Sequence, residues 1–295
     1  MKKYYKVAGL VFCLDIPGEH PFWQHADNYS PFEVEEGGEC IFTLSLTGEQ
    51  PLGEKTPLYT TKRDSLSPLV DLFDYDEGNY LVQFAPIPTA PLTGDLLLAK
   101  DFRSGLLFIR AGRLSSQMFA INNSIMLLYT FASAPYGALE MHSSVVMKDG
   151  KGYMFLGRSG TGKSTHSRLW LENIEGCELL NDDNPVLRAM PDGGIIVFGT
   201  PWSGKTPCYK NKFAPAGAIV RLEQAPFNQI VRYDPINSYG SVMASSSGFR
   251  PIRSIADAQH DTINKIAGRV PCFHLKCLPD KDAADTCFAA VYNPA

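Results

Sequence analysis

The sequence has no run or stripe of basic residues, and no apolar stretch long enough to cross a membrane. The formal net charge is -4 and the isoelectric point is about 5.9, a balance that argues against nucleic-acid binding. The apolar stretch Val7–Phe12 is too short for a spanning helix, and no small-residue cleavage site accompanies it. We therefore expect a cytoplasmic protein without membrane or nucleic-acid partners.

Cysteine spacing gives no indication of a disulfide framework or a metal site. The seven cysteines are odd in number, and none belongs to a Cys-x-x-Cys motif. Cys272 and Cys277 are near neighbours, but one such pair is weak evidence for either. Reduced cysteines of the cytosol are the simpler interpretation. Internal repeats and low-complexity segments are also missing, so the 295 residues predict one large or two modest domains.

The region from residue 1 to 112 is predicted to be rich in β-strands. Apolar runs alternate there with clusters of Gly, Pro and Asp, and the last two strands are expected to form a hairpin. No catalytic constellation occurs in this region. The predicted strands are Tyr4–Leu14, Cys40–Leu46, Leu58–Lys62, Asn79–Phe84, Leu96–Phe102 and Gly105–Ala111.

A helix is predicted next, over Ser115–Ala134, because apolar residues recur there at spacings of three or four. Ser115 or Ser116 could cap its amino terminus. We predict that residues 113–136 form a bridge between the β-rich region and a second domain over residues 137–295.

The second domain contains the pattern G-x-x-x-x-G-K-[ST] at residues 157–164. A short apolar strand precedes it and a helical stretch, Ser164–Leu171, follows, which is the context of a phosphate-binding loop. Lys163 is expected to reach the β- and γ-phosphates, and the Ser164 hydroxyl to bind Mg²⁺. The predicted nucleotide-binding residues are Gly157, Arg158, Ser159, Gly160, Thr161, Gly162, Lys163, Ser164 and Thr165.

A second match to the same pattern occurs at residues 199–206. Pro201 lacks an N–H group for a phosphate, and no helical pattern follows. We interpret Thr200–Lys205 as a loop that forms the acceptor side of the site, with Trp202 as a flat wall and Lys205 as a catalytic cation. The alternative is a surface loop whose tryptophan packs into the core and whose lysine is solvated.

Two further segments carry groups typical of phosphoryl transfer. His142 lies in a predicted strand, Leu139–Met147, which turns at an Asp-Gly pair and returns into the phosphate loop. Asp182 and Asp183 follow a short apolar strand, where nucleotide enzymes hold Mg²⁺ or orient a nucleophile. The alternatives are a packed strand histidine and an Asx turn that opens the hairpin Val186–Met190 and Ile195–Phe198.

Together, His142 in its hairpin, the loop at residues 157–164 and Leu180–Asp183 resemble the catalytic domain of HPr kinase/phosphorylase. That family is related to the nucleotide-binding half of ATP-dependent phosphoenolpyruvate carboxykinase. The resemblance covers roughly residues 137–292, but the glycine- and asparagine-rich signature of true HPr kinases is missing. It implies an α/β (α+β) fold with a mixed carboxykinase-like sheet. It also implies that Asp182 is the base, that His142 is its partner and that Asp183 binds magnesium.

The sequence therefore predicts a phosphotransferase of the HPr-kinase-like group that uses Mg²⁺ and ATP, or another nucleoside triphosphate. The acceptor is a hydroxyl group of a protein serine or a small molecule. A nucleotide-binding module that catalyses little and organises a partner complex is the alternative. Homo-oligomerisation is compatible with either function.

Overall fold

The computed structural model describes residues 1–36, 38–64, 67–110, 112–204, 206–248 and 251–292. The chain divides into two compact units, Met1–Ser133 and Ala134–Ala295. The predicted bridging helix thus belongs to the first unit and is not a separate segment, and the second unit begins at Ala134 instead of residue 137. Among the described helices, none combines the length and apolar character needed to cross a membrane.

The first unit is built on a nine-stranded mixed sheet with the strand order β3-β1-β2-β4-β9-β8-β7-β6-β5. Parallel pairing joins β2 to β4 and β4 to β9, and the other neighbours are antiparallel. The predicted hairpin between the last two strands is present as β8 and β9. The strands are β1 Lys2–Val7, β2 Leu10–Asp15, β3 Glu33–Val34, β4 Thr43–Thr47, β5 Lys55–Tyr59, β6 Leu69–Tyr75, β7 Asn79–Ala85, β8 Gly94–Leu98 and β9 Ser104–Ile109.

Several strand predictions in this unit differ from the structure. The predicted strand Tyr4–Leu14 is a hairpin, because the chain turns at Ala8 and Gly9, which have φ angles of 50° and 78°. The strand predicted at Leu58–Lys62 lies three residues earlier, and β6 was missed. Asp71 interrupts the apolar pattern of β6, yet it is buried because it accepts hydrogen bonds from Thr61 N (2.8 Å) and Arg63 Nη2 (2.7 Å). The last predicted strand ended at Ala111, which is outside the described residues.

Helix α1, Leu114–Ser133, packs on strands of this sheet and confirms the predicted helix to within one residue at each end. The apolar positions Ile121, Ile125, Leu128 and Phe131 are fully buried. The helix begins at Leu114, so Ser115 and Ser116, which were predicted to cap it, lie inside its first turn, and the cap prediction is wrong. The helix approaches the sheet closely, since a β-carbon at Gly105 would lie 2.6 Å from Leu128 Cδ1.

The second unit contains another mixed nine-stranded sheet. Its main path is β10-β14-β15-β16-β12-β11-β13, and β18 pairs with β16 and with the edge strand β17. Strands β12, β16 and β18 are parallel neighbours, so their carboxyl ends lie at one edge. The strands are β10 Ala138–Glu140, β11 Ser143–Lys148, β12 Lys151–Leu156, β13 Glu178–Asp183, β14 Val186–Ala189, β15 Ile195–Phe198, β16 Phe213–Gln224, β17 Gln229–Arg232 and β18 Cys272–Cys277.

Four helices cover this sheet and create two apolar cores. Helices α2 (Lys163–Asn173) and α5 (Lys281–Val291) contribute Trp170 and Cys287 to one core. Helices α3 (Pro235–Ser245) and α4 (Arg253–Ala267) contribute Val242, Ile263 and Ile266 to the other. The α/β character that the sequence predicts is therefore present, in the form of two mixed sheets with helices.

The predicted Asp-Gly hairpin is confirmed between β11 and β12. Asp149 and Gly150 have φ angles of 48° and 72°, the left-handed conformations that such a two-residue turn requires. The strand predicted over Leu139–Met147, however, is two strands. Met141 and His142 separate β10, which pairs with β14, from β11, which pairs with β12 and β13. His142 thus lies at a bend beside the strand instead of within it.

Candidate functional site

The predicted phosphate loop connects β12 to helix α2, as its sequence context indicated. The strand ends at Leu156 and the helix begins at Lys163. Gly160 and Gly162 have φ angles of 80° and 109°, which side chains with a β-carbon rarely adopt. The loop closes on itself through hydrogen bonds from Thr161 N and Oγ1 to the Arg158 carbonyl, at 3.1 and 2.7 Å. Its backbone therefore curls at the amino terminus of an eleven-residue helix, a favourable place for an anion.

Gln224, the last residue of β16, holds the loop from the side. Its Nε2 atom donates to the carbonyls of Gly160 (3.2 Å) and Thr161 (3.4 Å). These carbonyls are thereby directed toward β16, away from the centre of the loop. Gln224 was not predicted from the sequence, because no motif includes a glutamine 60 residues after a phosphate loop.

Lys163 is the residue that joins the loop to the rest of the site. Its ammonium lies 3.1 Å from the Gly157 carbonyl, to which it donates, and 2.8 Å from His142 Nε2. Burial lowers the pKa of Lys163 below its usual value, and the charges of Asp183 and Asp182 oppose that effect. The lysine is consequently a partly desolvated cation that an additional anion would stabilise.

His142 connects Lys163 to the acidic end of β13. Its Nδ1 atom lies 2.9 Å from Asp183 Oδ1, and its backbone N–H donates to the Ser245 carbonyl at 2.7 Å. The predicted partner of His142 was Asp182, and that pairing is wrong. Consecutive strand residues point to opposite faces, so only one of the two aspartates can face the histidine, and that residue is Asp183.

Asp182 occupies a different environment from Asp183. Its side chain is buried, whereas the Asp183 side chain is 30% exposed. Within the part of the chain that is described, neither carboxylate oxygen of Asp182 has a hydrogen-bond partner. A buried carboxylate without partners is costly and is best compensated by a cation.

The described residues contain no group of three or more His, Cys, Asp and Glu side chains placed to hold an ion. Side chains of the described residues therefore do not form a complete metal site by themselves. Magnesium ordinarily needs fewer protein ligands. It binds through one or two carboxylates together with substrate phosphates and water. Asp182 and the exposed Ser164 at the start of α2 fit that donor set.

Asn181 holds the acidic strand end in place, a role that was not predicted from the sequence. Its fully buried side chain accepts from the backbone N–H groups of Asp183 and Asn184, both at 3.0 Å. It also donates to Thr200 Oγ1 (3.1 Å) and to the Trp202 carbonyl (2.9 Å). One amide therefore fixes both the turn after Asp183 and the segment that begins at Thr200.

The described part of the Thr200–Lys205 segment passes directly against the acidic strand end. A β-carbon added at Gly204 would lie 2.8 Å from the Asp182 carbonyl oxygen and 3.1 Å from Asp183 Cβ. Trp202 is only 4% exposed, so the predicted flat wall for an acceptor is wrong and the tryptophan packs inside. Lys205, predicted to be a catalytic cation, lies outside the described residues.

A cavity of about 580 Å³ adjoins the loop on the side of helix α2, a volume typical of small-molecule sites. Thr165 and His166 from α2 line it, with Leu222 from β16 and Pro226 and Pro279 from the loops after β16 and β18. Burial lowers the pKa of His166 to about 4, so this imidazole is neutral at physiological pH. The walls of the cavity are thus uncharged and more apolar than polar, and the cavity lies beside the loop backbone.

No model of a known protein family matches this chain, and a search of curated proteins finds no significant match. The HPr-kinase-like resemblance therefore stays a prediction.

The role of Asn181 can be tested by its replacement with alanine. We expect Asn181→Ala to lower the free energy of unfolding by about 2–4 kcal/mol, because four hydrogen bonds are lost and buried groups are left unpaired. Urea unfolding measures this change. Asn173→Ala is the matched control, since Asn173 makes a single hydrogen bond to Leu169 O within its own helix and should cost less than about 1 kcal/mol. Equal losses in the two variants would contradict the anchoring role.

Proposed function

We propose that this chain is an ATP- and Mg²⁺-dependent phosphotransferase with an HPr-kinase-like catalytic domain, acting on a hydroxyl group of a protein serine or a small molecule. The observation that carries the proposal is the continuous contact from Lys163 through His142 to Asp183. It places the cation of a phosphate loop and a half-exposed carboxylate in one network. A phosphate-binding turn alone would not need the carboxylate, whereas phosphoryl transfer to a hydroxyl needs both.

In this proposal the loop binds the triphosphate of the nucleotide. Backbone N–H groups at the start of α2 and the helix dipole favour the phosphate charge. Lys163 contributes the side-chain cation, and its desolvation strengthens its attraction for phosphate oxygens. The cavity beside Thr165 and His166 accommodates the nucleoside, because it adjoins the loop and has apolar walls for a base.

Ser164 and Asp182 are the residues that would hold magnesium, whose chemistry is to neutralise charge on the phosphates during transfer. Asp182 is assigned to the metal because its buried oxygens have no partner within the described structure. Asp183 is assigned to the acceptor because it is exposed and is oriented by His142. These roles exchange the two that the resemblance implies.

Asp183 acts as the general base on the acceptor. It takes the proton of the hydroxyl while the acceptor oxygen forms a bond to the γ-phosphorus and the bond between that phosphorus and the β,γ-bridging oxygen breaks. The products are the phosphorylated acceptor, ADP and a proton on the Asp183 carboxyl. His142 touches the carboxylate at Oδ1 and leaves Oδ2 for the acceptor, so it is a positioning residue.

The proposal is tested by ADP formation in the presence of Mg-ATP, measured with and without hydroxyl acceptors such as serine peptides and polyols. Water is itself a weak acceptor, so we expect slow ADP formation by the protein alone and faster formation with a matching acceptor. Both rates should require Mg²⁺. Tight ATP binding with no ADP formation under any condition would contradict the phosphotransferase and favour the nucleotide-binding module.

A further inference from the structure

A second cavity, of about 540 Å³, also adjoins the phosphate loop. Its walls include Arg158 and Ser159 from the loop, Arg221 and Glu223 from β16, and His274 from β18. Side chains of a strand alternate between its faces. Arg221 and Glu223 therefore lie on the face of β16 opposite to Leu222, which lines the cavity beside α2. Leu222 and Gln224 border both cavities, whereas the charged side chains of Arg158, Arg221 and Glu223 line the second.

Arginine side chains outnumber carboxylates among the described residues that line this second cavity. Glu223 is the one carboxylate among its lining residues, and it is already engaged. Its Oε2 atom lies 2.9 Å from His274 Nε2, and its Oε1 atom lies 3.8 Å from Lys276 Nζ. Across the described ranges, no carboxylate lies within the 4.0 Å of an ion pair from Arg158 or Arg221. Two guanidinium groups thus face one cavity without a counter-charge.

One nitrogen atom of Arg221 also lacks a hydrogen bond within the described structure. Its Nη1 atom is buried and finds no hydrogen-bond partner among the residues that are described. Arg221 lies opposite His274 in the pairing of β16 with β18, and the His274 ring stacks on Tyr233 with centroids 5.5 Å apart. Arg221 and His274 both line the cavity, where an anionic ligand would supply the missing partner and charge. The planar set of donors of an arginine matches carboxylate and phosphate oxygens.

We propose that this cavity is a binding site for a small dianionic molecule, a dicarboxylate or a phosphate monoester, held by Arg158 and Arg221. The volume exceeds that of a single inorganic ion and suits a metabolite-sized ligand. The proposal assigns Arg158, which the sequence predicts to bind the nucleotide, to this second ligand instead. Leu222, Gln224 and the loop residues Gly160 and Thr161 border both cavities. The proposal does not require that the protein transfers phosphate.

Calorimetric titration with two probes, malonate and glycerol 3-phosphate, tests this site and distinguishes the carboxylate from the phosphate source. Titrations are made in about 150 mM salt, which screens weak surface attraction, and with or without saturating Mg-ADP. We expect at least one probe to bind with a Kd near 1 mM or below, with less than about a threefold change on adding Mg-ADP. Displacement of the probe by Mg-ADP would overturn the proposal, as would no binding of either probe below about 10 mM.

Variants distinguish probe binding in this cavity from binding at the phosphate loop and from a general effect of the protein's charge. Arg221→Gln should weaken the probe at least about tenfold, because a charge-assisted contact is lost. Lys163→Ala should leave probe binding unchanged, which also keeps the result independent of nucleotide binding. Arg232→Gln is the matched control, since Arg232 is exposed on β17 and does not line the cavity. An equal loss in Arg232→Gln would overturn the proposal. Should Arg221→Gln fail to fold, Arg158→Gln at an exposed position gives the same test.

Discussion

Replacement of Lys163 by alanine is expected to weaken Mg-ATP binding by about a hundredfold or more. The ammonium is the loop's side-chain cation, and charge-assisted hydrogen bonds contribute about 1.5–3 kcal/mol each. Loss of contacts to two phosphate groups therefore removes at least about 3 kcal/mol, or two orders of magnitude in Kd. Isothermal titration with Mg-ATP measures the change.

In the absence of nucleotide, Lys163→Ala should be at least as stable as the wild type. Because burial lowers the pKa of Lys163, its protonated form destabilises the folded protein, and this cost fades as the pH rises through the lowered pKa. Lys163→Ala removes the cost, so its Tm near neutral pH should equal or exceed that of the wild type. Lys281→Ala, at an exposed lysine that pairs with Asp285, is the control for nucleotide affinity. ATP binding by Lys163→Ala within a few-fold of wild type would refute the nucleotide site.

Replacement of Asp183 by asparagine is expected to lower kcat by about 10²-fold or more while ATP affinity changes only a few-fold. The amide keeps the size of the side chain, but it cannot take the proton of the acceptor hydroxyl. It also replaces the charged partner of His142, whose Nδ1 lies 2.9 Å from Asp183 Oδ1. Steady-state rates of ADP formation, together with calorimetric ATP affinities, separate the catalytic effect from binding.

Asp182→Asn is the matched comparison, because it makes the same chemical change one residue earlier. We expect this variant to need more Mg²⁺ for half-maximal activity. Without nucleotide it should have a Tm at least equal to that of the wild type, since it removes a buried charge that has no hydrogen-bond partner in the described part of the chain. If Asp182→Asn lost the proton-transfer step and Asp183→Asn lost the Mg²⁺ dependence, the two assignments would be reversed. If neither change affected turnover, the phosphotransferase would be excluded.

Local sequence signals predicted the segments whose conformation depends on neighbouring residues. The turn at Asp149-Gly150 requires two residues in the left-handed conformation, and an Asp-Gly pair is typical of such turns. Helix α1 was predicted because its buried face repeats every three or four residues. The predicted strand over Tyr4–Leu14 was wrong, because Gly9 is the one turn signal in an apolar run and Ala8, the other turn residue, is of a type that seldom adopts a positive φ.

The site shows the same division between local and non-local information. The loop at residues 157–164 is contiguous, and its glycines and following helix could be recognised together. The contacts of Asn181 with Thr200 and Trp202 span about twenty residues, and no spacing rule connects them. The support of the loop by Gln224 depends on the parallel pairing of β12 with β16, which only a complete sheet defines.

By itself, the sequence determined that the chain contains a phosphate-loop pattern between a strand and a helix, with a histidine before it and two carboxylates after it. Those features are set by residue type and short-range spacing. Only the tertiary structure decided that His142 contacts Asp183 and Lys163, and that the buried Asp182 carboxylate has no hydrogen-bond partner among the described residues. Two adjacent aspartates are chemically alike in a sequence. The pleat of β13 directs them to opposite faces, and only Asp183 thereby reaches the histidine.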